Sequence, residues 1–408
     1  MKILLYSINF SPELTGIGKY NGEMVDELLK NGVNLDIVTA PPYYPEWQLN
    51  PKFKNRWSKK VTPSLTIYRN PIYIPANLST LKRLLHLCSF ALSTVPSLVR
   101  QLRLKHDIIM LVQPTLFCAP ATLLFCKLTG AKSIMHIQDY ELDAMFGLGM
   151  MKEGKVARLA KSIECWLMKR FDAVSTISLS MIENAVVKGV NKGKIIYFPN
   201  WSDTNFVTPE SKGNILKQQW GFEEQDKVIL YAGNIGKKQG LEIVIEAAKH
   251  FENDKNIKFT FVGAGAHVDV LKTLVMELGL TNVYFFPLQP WERVPEMLAL
   301  AHIHLVIQKK GAADAVLPSK LTNILSAGGH ALVTAEPDTE LGKLAERFKG
   351  IFNCIEPENT SAFILGLRSL LNKDLTTHNQ VARAYAEEYL AKDKIFDKLI
   401  NDLKQLVA

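Results

Sequence analysis

The chain has 408 residues, 47% of them hydrophobic and 22% charged, with a net charge of +8; that length favours two domains over one core, and the composition excludes a disordered protein. Residues 1–200 carry 25 Lys and Arg against 14 Asp and Glu, whereas residues 201–408 carry 23 against 26, so the first half is expected to meet something anionic, such as a membrane surface, a lipid phosphate or nucleic acid. Five cysteines lie among apolar neighbours with no C-x-x-C pair, which excludes a disulfide framework and fits reduced thiols.

In chain order, Ile3–Phe10 reads as a buried strand, Lys19–Lys30 as a helix and Asn34–Thr39 as a strand. The first apolar run breaks at Ser11-Pro12 with no small-residue cleavage site, so no signal peptide is read there. Pro41–Trp57 is a Pro- and aromatic-rich loop, followed by a strand at Leu65–Tyr68. Thr80–Lys105 is basic and mostly helical, with Pro96 as a kink. Its apolar centre, Leu84–Val99, is interrupted by His86 and Pro96 and falls short of the roughly 18–20 apolar residues that span a bilayer. Ile108–Val112, Ala131–Ile137 and Ala173–Ile177 complete a β-α alternation that predicts a parallel sheet covered on both faces.

A boundary is expected near Ile195–Lys212, after which the alternation restarts. Val228–Tyr231, Lys258–Val262, Val283–Phe286, His304–Ile307 and Ala331–Thr334 read as strands, and Gln380–Val407 as largely helical. Both halves carry glycines after their first strand, at Thr15–Tyr20 (TGIGKY) and at Ala232–Gly240 (AGNIGKKQG). Strand, glycine turn and helix together let a backbone approach a phosphate and aim a helix N-terminus at it.

Four further stretches fall in a shared order: Phe198–Asp203 (FPNWSD), Phe261–Gly265 (FVGAG), Leu317–Lys320 (LPSK) and Gly328-Gly329. With the two glycine turns, they resemble the retaining GT-B glycosyltransferases of family 4, and within them the colanic-acid-type exopolysaccharide fucosyltransferases. The resemblance covers nearly the whole chain. It implies an α/β protein of GT-B architecture, two Rossmann-like domains facing across a cleft. Residues 1–200 would bind acceptor and residues 201–385 the nucleotide-sugar, with a helix over 386–408 packing back toward the first domain. By the same resemblance, Gly16, Gly18, Lys19, Gly233, Asn234, Gly236, Lys238, Gly263, Gly265, Pro318, Ser319, Lys320 and Asn323 would contact the donor. The sequence departs from the family where cations clamp the leaving diphosphate, with Asn234 and Gln239 in their places; Lys320 is positioned to supply the missing charge. The family's paired glutamates fall on Ala315 and Asn323, and Asp314 lies one place off the first.

Ile134–Asp143 (IMHIQDYELD) puts His136, Asp139, Glu141 and Asp143 at the C-terminal end of a strand, the end that faces the crevice in an open α/β sheet. His136 and Asp139 are the candidates for a proton acceptor near the attacking hydroxyl, a part that the leaving diphosphate can also take. Glu13 beside the first glycine turn is a further candidate. No Asp-x-Asp occurs and the nine histidines show no ligand spacing, so neither metal nor other cofactor is expected. Lys52–Lys60 (KFKNRWSKK) and Lys82–Lys105 combine apolar or aromatic residues with cations, which suggests docking on an anionic membrane. The function implied is transfer of a sugar, with GDP-fucose the suggested donor, to a lipid-linked oligosaccharide by a cytoplasmic enzyme on the inner membrane face. Three other readings compete: a sugar-nucleotide 2-epimerase of the same fold, an NAD-dependent dehydrogenase, and a non-catalytic membrane or nucleic-acid binder. Neither glycine turn completes G-x-G-x-x-G, and no nucleic-acid motif is present.

Overall fold

The computed structural model describes residues 1–13, 16–77, 79–140, 142, 154–310 and 318–408. The chain divides into two units, Met1–Phe198 with Phe396–Ala408, and Pro199–Ile395.

The first unit is built on an eight-stranded sheet of β1 (Lys2–Tyr6), β2 (Asn34–Thr39), β3 (Ser58–Val61), β4 (Leu65–Arg69), β5 (Ile108–Val112), β6 (Lys132–Ile137), β7 (Ala173–Thr176) and β8 (Ile195–Tyr197). The order is β3-β4-β2-β1-β5-β6-β7-β8, and only β3 runs antiparallel, against β4. The strand order reverses between β1 and β5, and in such sheets the crevice opens at the carboxyl ends of the two strands flanking the reversal. β5 is the apolar run Ile-Ile-Met-Leu-Val and is buried throughout, as a central parallel strand with both faces covered must be. Helix Gly16–Lys30 packs Met24, Val25 and Leu28 inward. Helices Thr80–Ser93 and Val95–Gln101 follow one another, with Pro96 in the first turn of the second, where no N–H is needed. Phe396, in helix Lys392–Val407, meets Phe198 edge-on at 5.7 Å, and its neighbours Leu399, Ile400 and Leu403 are also buried.

The second unit holds a six-stranded sheet with every pairing parallel: β9 (Lys227–Ala232), β10 (Ile257–Val262), β11 (Val283–Phe286), β12 (Ile303–Val306), β13 (Ala331–Thr334) and β14 (Asn353–Ile355). Its order, β11-β10-β9-β12-β13-β14, reverses between β9 and β12. Tyr231, Phe259, Phe261 and Phe363 anchor its core.

Three strands have no counterpart in the sequence reading: β3, β8 and β14. All lie at sheet edges and are three or four residues long, and none holds a fully buried residue. Without a buried face there is no apolar alternation to read. Among the described residues no helix is long and apolar enough to cross a membrane.

Candidate donor and acceptor sites

The turn after β9 lies where the second sheet reverses. Gly233 has φ 139°, and its N–H donates to the Val262 carbonyl at 2.9 Å. Gly263 and Gly265 follow β10 with φ 146° and 158°. A methyl group on Gly263 would fall 1.9 Å from the Gly233 carbonyl oxygen, and one on Gly265 would fall 2.1 Å from that of Ile235. These two glycines are therefore required for backbone to lie against backbone. The N–H of Ile235 donates to Ala264 (2.9 Å), and the Tyr231 hydroxyl donates to the Asn234 carbonyl (2.7 Å). Gln239, one of the departures from the family pattern, accepts from the Gly236 N–H through Oε1 at 3.1 Å. The N–H of Gly236, one of the residues expected to contact the donor, is thus engaged within the turn itself. Asn234 is exposed and its N–H has no partner among the described residues. Lys238 lies in the short turn Lys237–Gln239.

Helix Ser319–Ser326 begins after Pro318, and among the described residues no side chain caps its N-terminus. An uncapped helix start presents N–H groups and the positive end of the helix dipole. Lys320 stands in its first turn. Its Nζ lies 3.9 Å from the centre of the Tyr231 ring, and a methyl group on Gly233 would sit 3.2 Å from it. Lys320 is half-buried and has no ion-pair partner among the described residues. Burial pushes its amine down to about 7. An amine held over an aromatic face, without a carboxylate partner among the described residues, is a candidate to meet an anion.

The remaining parts of this unit hold that helix in place. Ser202 Oγ donates to Asn323 Oδ1 at 2.9 Å, so Asn323, expected to contact a ribose, is tied to the Phe198–Asp203 segment. Asp203 accepts from the N–H groups of Asn205 and Phe206 and closes its own turn. The Arg383 guanidinium donates to the carbonyls of Ser326, Val207 and Thr204 at 2.6, 3.1 and 3.1 Å. Two residues here were not singled out individually by the sequence, which offers only the stretch Gln308–Lys320 around the donor. Gln308, just past β12, has a buried Oε1 with no partner among the described residues, and the Lys309 stem lies against Gly240. Their individual signal is their place after β12 in the strand order.

In the first unit the glycine turn proves different. Gly16 and Gly18 are not in a loop but open helix Gly16–Lys30. A methyl group on Gly18 would fall 2.3 Å from Oε2 of Glu13. Glu13 is buried and accepts from the N–H groups of Tyr43 and Tyr44 (both 3.1 Å) and from Asn9 Nδ2 (3.0 Å). Burial raises its pKa against the pull of those hydrogen bonds. Glu13 thus ties the backbone of Tyr43 and Tyr44 to Asn9, and Gly18 leaves it room. Lys19 pairs with Glu23 at 3.6 Å, one turn along.

His136 also departs from its expected role. The pleat of β6 turns it toward Ser175 of β7, its register partner. Nδ1 lies 3.0 Å from Ser175 Oγ and Nε2 2.8 Å from Gln138 Nε2, while the ring packs on Phe198. Burial pushes its pKa down to about 3. It is a neutral core histidine with both nitrogens engaged. Asp139, three residues on, is exposed at the end of the same strand. Gln113, just past β5, buries an Nε2 that has no partner among the described residues. Thr15, Glu141, Asp143, Asp314, Ala315 and Leu317 lie outside the described residues.

Comparison with known proteins gives the class of this fold. Sucrose-phosphate synthase from Thermosynechococcus elongatus superposes with a TM-score of 0.75 at 13% identity, covering 100% of this chain and 99% of that one. Anabaena HepE, solved in complex with UDP, superposes with a TM-score of 0.70 at 14% identity, covering 99% and 100%. Two parallel-sheet α/β domains of this kind are the GT-B fold. By sequence, residues 15–201 match the glycosyl transferase 4-like domain and residues 214–388 match glycosyl transferases group 1. A relative in Escherichia coli (strain K12), "Putative colanic acid biosynthesis glycosyl transferase WcaI", is 49% identical over 99% of this chain and 100% of its own length. The chain belongs to this glycosyltransferase family.

Proposed function

We propose that this glycosyltransferase moves a sugar from a nucleoside-diphosphate donor to a hydroxyl of a lipid-linked oligosaccharide, with retention and without a metal, in assembly of a colanic-acid-type exopolysaccharide. GDP-fucose is the suggested donor. The observation that carries the reading is Lys320, a cation without an ion-pair partner among the described residues, beside the glycine turn where the second sheet reverses. In the step proposed, the bond between the anomeric carbon and the diphosphate oxygen breaks and the acceptor oxygen bonds to that carbon. The acceptor's proton passes to the departing diphosphate, whose charge is met by the Lys320 ammonium and the helix N-terminus. That division of labour leaves no step for His136, which is enclosed. Asp139 remains the exposed carboxylate on the acceptor side. The 49% identity to a relative named for colanic acid biosynthesis supports the pathway, and the complex of HepE with UDP-glucose supports a nucleotide-sugar donor.

A mass-spectrometric screen of sugar nucleotides with lipid-linked acceptors, with the product's anomeric configuration read by NMR, tests this. Transfer from GDP-fucose with retention is the expected result. Absence of binding to every UDP-, GDP- and dTDP-sugar would overturn it.

A further inference from the structure

Helices Thr80–Ser93 and Val95–Gln101 form one ladder, since Thr94 N–H donates to Phe90 and Leu98 N–H to Thr94. One face of that ladder serves the core: Leu87, Phe90 and Leu98 are buried, and Phe90 meets Tyr6 at 5.7 Å. A second face carries Leu81, Leu85, Cys88, Leu92, Val95 and Val99, spaced four and three residues apart in strict alternation. This is a single row about 27 Å long at 1.5 Å per residue. It faces solvent: Leu81 is 68% exposed, Leu85 50%, Leu92 74% and Val99 57%. A surface helix ordinarily turns polar residues outward. The helix is apolar on both faces, and its outer row is unpartnered.

Charge says what would cover it. From Trp47 to His106 the chain has eleven Lys and Arg and not one Asp or Glu. Trp57, itself 56% exposed, donates its indole N–H to the Ser93 carbonyl at 3.0 Å. That bond fixes the segment bearing Lys54, Arg56, Lys59 and Lys60 beside the row, between Leu92 and Val95. The adjoining β3 is exposed at all four residues and lies at the sheet edge. A second copy of the chain would bring cations against cations along both flanks. The patch also spreads from helix to strand rather than forming one groove. We infer that this face docks on an anionic lipid bilayer, the leucine row lying in the headgroup–acyl boundary and the basic segment meeting lipid phosphates. This deepens the lipid-linked-acceptor reading and rests on it for its purpose, but docking is measured without donor or acceptor.

The test is flotation with phosphatidylcholine vesicles, with and without phosphatidylglycerol, at low and raised salt. The protein is expected to float only with phosphatidylglycerol and less at raised salt. L85E/L92E should reduce partition at least about ten-fold with an unchanged melting temperature. K59Q/K60Q should reduce it about five-fold per lysine, the equivalent of about 1 kcal/mol per cation. If L85E/L92E fails to fold, L92N/V99N replaces it with the same expected direction. Flotation unchanged in the folded leucine-row variant, or equal on phosphatidylcholine alone, would overturn the inference. So would a concentration-dependent dimer by light scattering that the same variant dissolves. A protein that floats as expected yet binds no sugar nucleotide would keep the docking surface and lose the transferase reading.

Discussion

The two glycine turns obey one local grammar and end in opposite states. In the first unit the space left by Gly18 is filled by the chain's own carboxyl, Glu13, which also gathers the backbone of Tyr43 and Tyr44. In the second, Gly263 and Gly265 let one turn lie on another, and the nearest charged group to Gly233 is the amine of Lys320, which has no ion-pair partner among the described residues. A glycine-bearing β-α turn thus shows that something lies close to the backbone. Only the neighbouring charge shows whether that is protein or ligand.

The sharpest way to break the comparison is at Gly263. Its methyl would overlap the Gly233 carbonyl oxygen, so G263A should destabilise the second unit by about 3 kcal/mol or more, seen as an early unfolding transition in denaturant. Lys320→Met removes the charge and not the fold. Transfer should fall about 100- to 1000-fold, while the melting temperature rises, because burial disfavours the charged amine, as its lowered pKa shows. The sign follows from linkage: with the folded amine near 7 and the unfolded amine at its ordinary value, the unfolded state holds more protons between them. Wild-type stability therefore gains from Lys320 deprotonation as pH rises from about 7 toward 10, and K320M should lack that rise. In the first unit G18A should cost about 2 kcal/mol, and less than about 0.5 kcal/mol in an E13G background, because the three atoms nearest that methyl all belong to Glu13. Denaturant unfolding of the four proteins reads the coupling. The smallest effect is expected of Ser202→Ala, which loses one hydrogen bond to Asn323 for about 1 kcal/mol and a modest rise in donor KM.

Much of the fold was legible because central strands such as β5 and β9 are apolar runs between helices. The edge strands β3, β8 and β14 were not, because β3 is exposed at every residue and β8 and β14, at three residues each, are too short to show a pattern. At the candidate site, Lys320 was singled out from its place in Leu317–Lys320, and the structure sets it beside the glycine turn after β9. His136 misled because the strand end that faces a crevice also alternates inward, and one residue of pleat puts a side chain against Ser175 instead of solvent. Gln113 and Gln308 carry no motif at all. They follow the central strands β5 and β12, a position that exists only in the strand order.

The central claim is that Lys320 receives the donor's diphosphate, and calorimetry of GDP and UDP binding at pH 8 tests it most directly. Run in buffers of differing ionisation enthalpy, it counts the protons that move. An amine that is mostly neutral there must take up a proton as the diphosphate arrives, so the wild type should bind with uptake approaching one proton. Its affinity should weaken by up to about ten-fold per pH unit above 7, and both effects should vanish in K320M. Binding of equal strength in K320M, with no proton linkage in either protein, would contradict the account.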